Sequence, residues 1–196
     1  MRVLLLLCGF SFLAQGQHLL SAGIKGGVPL TDAYADITTH GIDTLTHAFS
    51  DSKNYVIGPM VELNLPLGVS IEADALYRPL NLTIVNTIIP RSTFTNAADI
   101  NSWEFPILGK YRFLHTPVVK PYAEAGPIFR HVASEAAYLS KGGFALGVGV
   151  DFKLLLLKVS PEIRYSRWGG DKTPSPASIN VPSRQNQAEF LIGVSF

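Results

Sequence analysis

Two groups of residues have the types and spacing that chemistry would need. His40, Asp43 and His47 stand within eight positions, and two imidazoles with a carboxylate are donors that a transition metal accepts. Asp32, Asp36 and Asp51 surround them. A solvated acidic connection gives the same letters, so the segment is expected to be a polar loop and no metal is assigned. The second group is His131, Ser134 and Glu135. A nucleophilic hydroxyl needs a base in hydrogen-bond reach and a third group to orient that base. Nothing in the spacing forces His131 and Ser134 onto one face, and no catalytic motif surrounds them. No catalytic, cofactor-binding or metal-binding residue is assigned, and the chain is not expected to be an enzyme. His18 and His115 read as plain polar residues.

The remaining charges follow a different rule: they alternate. Across 102–113, Trp103, Phe105, Ile107, Gly109, Tyr111 and Phe113 take one face, and Ser102, Glu104, Pro106, Leu108, Lys110 and Arg112 the other. The same period of two runs through 69–78, 159–166 and 189–196, and with less contrast through 20–28, 55–65, 121–131 and 143–152. The expectation is eight strands of about ten residues, the length that crosses a bilayer when tilted. Their connections alternate in length. Those at 31–54, 79–101, 133–141 and 169–185 are long or medium, and those at 66–68, 114–119 and 153–158 are short. The connection at 79–101 is unusual in being apolar, with Leu82, Ile84, Val85, Ile88, Ile89 and Phe94, and is expected to extend its hairpin beyond the membrane rather than to offer a contact surface. Short turns on one side and long loops on the other form the plan of an outer-membrane barrel.

Composition agrees. Apolar residues make up 47% and charged residues 16% of the chain, with 17 glycines and 13 prolines to make turns. A net charge of +1 without a Lys/Arg run gives no field to attract nucleic acid. Residues 1–16 read as a signal peptide: Arg2, a short apolar run, then Ala14-Gln15-Gly16 before an expected cut at Gln17. The run is too short to span a membrane as a helix. The one cysteine, Cys8, lies inside it, so the expected mature domain, 17–196, has no disulfide.

Alternation alone does not say which face meets the solvent. A soluble barrel shows its charges, whereas a membrane barrel hides them. The polar face carries Lys25, Glu62, Glu72, Asp74, Arg78, Glu104, Lys110, Arg112, Glu124, Arg130, Asp151, Glu162, Arg164 and Glu189, eight acids and six bases that can pair. Small residues, Ser21, Gly23, Gly27, Gly58, Gly126, Ala145, Gly147 and Gly149, share that face, as a narrow interior requires. On the apolar face, Tyr55, Tyr77, Trp103, Phe129, Phe144, Tyr165 and Phe190 fall toward the long-loop ends. Tyr111, Phe113, Phe152 and Phe196 fall toward the short turns, and together these make two aromatic belts. A lysine or arginine facing lipid at mid-depth costs about 2–4 kcal/mol. A one-residue slip would turn every charge of a strand outward. Pro59, Pro106, Pro127 and Pro161 run against the pattern, since a closed barrel has no free edge for them, and bulges or missing ladder bonds are expected there.

Trp103-Glu-Phe-Pro-Ile-Leu-Gly-Lys-Tyr-Arg-Phe113 resembles the fourth strand of small outer-membrane barrel domains, the porin family or OmpA/OmpX-like group. Pro121-Tyr-Ala-Glu-Ala-Gly-Pro127, Gly147-Val-Gly-Val-Asp-Phe152, Pro161-Glu-Ile-Arg-Tyr-Ser166 and Gly23-Ile-Lys-Gly-Gly-Val-Pro29 resemble its fifth, sixth, seventh and first strands. The resemblance implies an all-β, eight-stranded, antiparallel up-and-down transmembrane barrel in the bacterial outer membrane. It also implies insertion by the barrel-assembly machinery, with Phe196 fitting the terminal signal and Val194 departing from it. Expected partners are therefore outer-membrane lipid, that machinery, and an extracellular ligand at the loops, with no cofactor. The expected role is structural or surface-interacting through the long loops. A lipid-modifying enzyme at the rim, a small-solute channel and a soluble ligand-binding barrel stand as alternatives.

Overall fold

A ribbon that is apolar on one side and charged on the other can hide one side by curling, and eight such ribbons close on themselves. The structure, a computed structural model, describes residues 19–31, 37–40, 44–50, 55–88, 92–114, 116, 118–132, 139–154, 156–169 and 185–196, with backbone alone at 37–40, 44–50, 81–88 and 92–100. The expected signal segment, 1–16, lies outside the described residues.

The strands are β1 (Leu20–Pro29), β2 (Ile37–His40), β3 (Thr44–Ser50), β4 (Val56–Asn64), β5 (Val69–Asp74), β6 (Leu76–Ile88), β7 (Ser92–Arg112), β8 (Val119–Val132), β9 (Gly142–Leu154), β10 (Leu157–Trp168) and β11 (Asn186–Ser195). Their ladder runs β1-β11-β10-β9-β8-β7-β5-β4, and β4 pairs back with β1 to close the wall. β5 and β6 form one stave interrupted at Ala75, since β4 and β7 each pair with both. The result is a closed antiparallel barrel of eight staves. The tight turn Pro66–Gly68 holds Leu67 at φ 65° and Gly68 at φ 78°; glycine accepts that conformation freely and leucine at a cost.

The expected loop at 31–54 contains strands instead, while the apolar connection at 79–101 extends its hairpin, as expected. The ladder of β6 and β7 continues from Leu76–Glu104 to the Ile88–Ser92 pair, through most of 79–101. That stretch is rich in threonine, isoleucine and valine, which favour a pleated surface. Within 31–54, β2 pairs with β3, and β3 pairs with β6 from Ser50–Leu82 to Thr44–Ile88. A sheet extension of β2, β3, β6 and β7 therefore stands beyond the barrel on the long-connection side.

The four prolines lie in unbulged strands. Each faces a break in one ladder across which the register is unchanged. Pro59 stands opposite Ala75, Pro106 opposite Asp74, Pro127 opposite Ile107 and Pro161 opposite Val150. Ala75 N–H still donates to the Pro59 carbonyl at 3.0 Å, but proline has no N–H to return. The deviation is thus a missing bond on one side, without an added residue.

Candidate functional site: the charged interior

The strand parity read from sequence holds throughout. All fourteen alternating charges point into the barrel, and none is more than 8% exposed. The apolar positions face outward: Ile24, Ile71, Phe105, Ile107, Leu146, Val148, Ile163 and Ile192 are exposed, as are Tyr55, Trp103, Phe129, Phe144, Tyr165 and Phe190 of one belt and Tyr111, Phe113, Phe152 and Phe196 of the other. Charges are inside and apolar side chains are outside.

The interior is built in layers. At the centre, Lys25 on β1 bonds Glu72 and reaches Glu162 at 3.1 Å and Asp74 at 3.5 Å. Arg164 on β10 lies 2.7 Å from Glu162 and 3.1 Å from both Asp74 and Glu124. Lys110 on β7 bonds Glu72 at 2.5 Å, and its ammonium sits 4.1 Å from the centre of the Tyr122 ring. The Tyr122 hydroxyl donates to Glu162 at 2.7 Å. These partners come from β1, β5, β7, β8 and β10, so one network ties strands around the whole wall.

Toward the extension, Arg78 donates to Glu189 at 2.8 Å and Gln187 at 3.0 Å. Arg130 donates to Glu104 at 2.7 Å and stands 3.7 Å from the Trp168 ring. Inward-facing Leu108, Ile128, Ala145 and Trp168 form one apolar cluster, and Val56, Leu76 and Leu191 another. Toward the short turns, Arg112 donates to Glu62 and, at 2.7 Å, to Asp151. Lys158 also bonds Glu62. Sequence reading passed over Lys158 because it sits in an expected turn. Its position two before Ser160, on the polar parity of β10, was the available signal.

Small residues make room for this chemistry. A Cβ on Gly147 would come 2.6 Å from Glu124 Oε1, and one on Gly149 would come 2.5 Å from Tyr122 Cζ. Without those glycines, neither side chain could lie flat against the neighbouring strand.

The sequence-picked chemical groups do not assemble among the described residues. His131 is on β8, exposed, on the outer face opposite Trp103. Ser134 and Glu135 lie outside the described residues, as do Asp43, His18 and His115. His40 and His47 fall on β2 and β3 but are not paired across the ladder: His40 stands opposite Leu45, and His47 opposite Thr38. Glu72, Glu124 and Glu162 bring three buried carboxylates within 4.8 Å, a spacing a cation could use. Lys25, Lys110 and Arg164 already fill that role there.

Comparison with solved structures settles the architecture. The outer membrane protein OprG of Pseudomonas aeruginosa matches with a TM-score of 0.50 at 16% identity, over 90% of this chain and 92% of that one. The chain has the fold of a small outer-membrane β-barrel. Neisserial surface protein A also matches, over 90% of this barrel and 95% of that chain, at 15% identity and a TM-score of 0.44. No family model matches the barrel sequence, and no curated protein does.

Proposed function

We propose that the chain is an integral barrel of the bacterial outer membrane. Its interior is a structural plug, and its function lies in the sheet extension and long connections outside. The observation that carries this reading is the inverted polarity of the wall. Water outside would leave an apolar belt of aromatic, leucine, isoleucine and valine side chains exposed around the whole circumference, far beyond the patches a soluble monomer tolerates. Hydrocarbon outside removes that cost, and the charges inside compensate one another.

The buried network favours a plug over a channel. Arg78, Arg164, Lys25, Lys110 and Tyr122 are almost wholly inaccessible to water, which a conducting lumen would not allow. An enzyme on the rim draws less support, because His131 turns away from the lumen. Outer-membrane lipid, the barrel-assembly machinery during insertion and an extracellular ligand at the extension are the partners this reading requires. The test combines cell fractionation with heat-modifiable gel mobility. The expected result is recovery with the outer membrane and a band that shifts on boiling. Recovery as a soluble protein without that shift overturns the reading.

A further inference from the structure

Charge pairing is close to complete in the interior but fails at one end. At the mouth beside the short turns the described residues supply two acids, Glu62 and Asp151, and both are fully used. Glu62 accepts from Arg112, Ser70 and Lys158. Asp151 accepts from Arg112 on one oxygen and from Ser160 on the other, each at 2.7 Å. The turns at 66–68, 113–118 and 153–157 contain no acid.

Lys120 and Lys153 also lie on the inward parity at this mouth; Lys120 stands opposite Asp151 in the β8–β9 ladder, but neither lysine forms an ion pair among the described residues. Lys153 stands directly opposite Lys158 in the β9–β10 ladder. Like charges directly opposite one another destabilise a strand pair unless something compensates them. Arg112, Lys120, Lys153 and Lys158 line a cavity of about 860 Å³, with Asp151 as the acidic side chain in its wall.

The apolar half of a ligand is provided for on the same rim. One step along the ladder from the Lys153–Lys158 pair, Leu154 stands opposite Leu157 with both side chains exposed. Leu156 in the turn is 88% exposed, and Leu67 in the neighbouring short turn is 86% exposed. In the cavity itself the apolar lining is Leu20, Leu65, Val118, Leu156, Leu157 and Phe196, beside the polar Ser21 and Asn64. Cations facing the mouth, with leucines on the adjoining wall, match a phosphate headgroup and its acyl chains.

We propose that this mouth binds an anionic phospholipid of the periplasmic leaflet. Its phosphate lies among Lys120, Lys153 and Lys158, and its acyl chains lie along Leu154 and Leu157. The proposal rests on the outer-membrane reading above, which places the short turns at that leaflet. A zwitterionic lipid brings no net charge to offset the Lys153–Lys158 opposition.

The test refolds the full chain into nanodiscs of phosphatidylcholine doped with phosphatidylglycerol, confirms the heat-modifiable band, and reads retained lipid by native mass spectrometry. The expected result is selective retention of phosphatidylglycerol. It should weaken about thirtyfold in Lys120→Gln/Lys153→Gln, the size two lysines beside an anionic surface would supply. Lys141→Gln, at the opposite end of the β8–β9 hairpin, should leave retention unchanged. Equal retention of the two lipids, an unchanged double variant, or an equal loss in Lys141→Gln each overturns the site. Displacement of the lipid by inorganic phosphate overturns the lipid assignment in favour of a free-anion site. Failure of the wild type to give a heat-modifiable band in lipid is a separate result, and it removes the membrane reading itself.

Discussion

Glu162 and Arg164 lie two positions apart on β10, and their side chains meet inside the barrel at 2.7 Å. Adjacent same-face positions on one strand rarely need to pair with each other. Here Arg164 also serves Asp74 and Glu124 from two other staves, so a single guanidinium links three parts of the wall.

Removing that guanidinium should therefore cost more than removing a surface charge. Arg164→Met leaves Asp74, Glu124 and Glu162 with Lys25 and Lys110 alone, and a broken buried pair costs about 3–5 kcal/mol. Urea unfolding in lipid vesicles, followed by tryptophan fluorescence, should show a loss of that size. A change below about 1 kcal/mol would mean that water reaches the network.

A charge placed on the outer wall tests the solvent directly. Ile163 lies in the middle of β10 and is 53% exposed. Ile163→Arg should cost about 2–4 kcal/mol in a bilayer. The same unfolding measurement detects it, and an unaffected variant would argue for water on that face.

Gly147 and Gly149 should not accept side chains. Gly147→Val pushes against the Glu124 carboxylate, and Gly149→Val against the Tyr122 ring. Overpacking of this kind costs about 1–3 kcal/mol. Both variants should lower the temperature at which the folded gel band disappears, and Gly142→Val should not, because a Cβ there meets nothing within 4 Å.

The extension should be dispensable for closure. Replacing 82–98 with a short turn removes the ladder beyond Asn81–Asp99 and leaves the barrel pairs from Leu76–Glu104 intact. The shortened chain should keep its heat-modifiable mobility. Loss of the folded band would make the extension part of the barrel's stability.

Strand parity made the wall legible from sequence, because a period of two assigns every side chain of a strand to one side. Glu104, Lys110 and Arg112 needed no partner to be placed inside. Which charge meets which was not legible. Lys25 and Glu162 are 137 positions apart, and their meeting depends on closure and stagger, which no local pattern encodes. Lys158 was hidden by its place beside a turn. The strands at 37–50 were hidden by the polar letters that also suggested a loop. The prolines were read as a strain on the fold, but whether each would add a residue or drop a bond depended on its neighbour across the ladder.

Those prolines divide the wall unequally. Breaks fall in the ladders joining β4 to β5 and β6, that stave to β7, and β7 to β8, three in succession, with a fourth between β9 and β10. The ladder of β8 with β9 is unbroken, and those of β1 with β4, β1 with β11 and β10 with β11 run without a gap in succession. The cylinder consequently has a densely stitched arc and a looser one. Backbone amides of β1 and β11 should be the last to trade their protons for deuterium, long after those flanking Pro106 and Pro127 have exchanged.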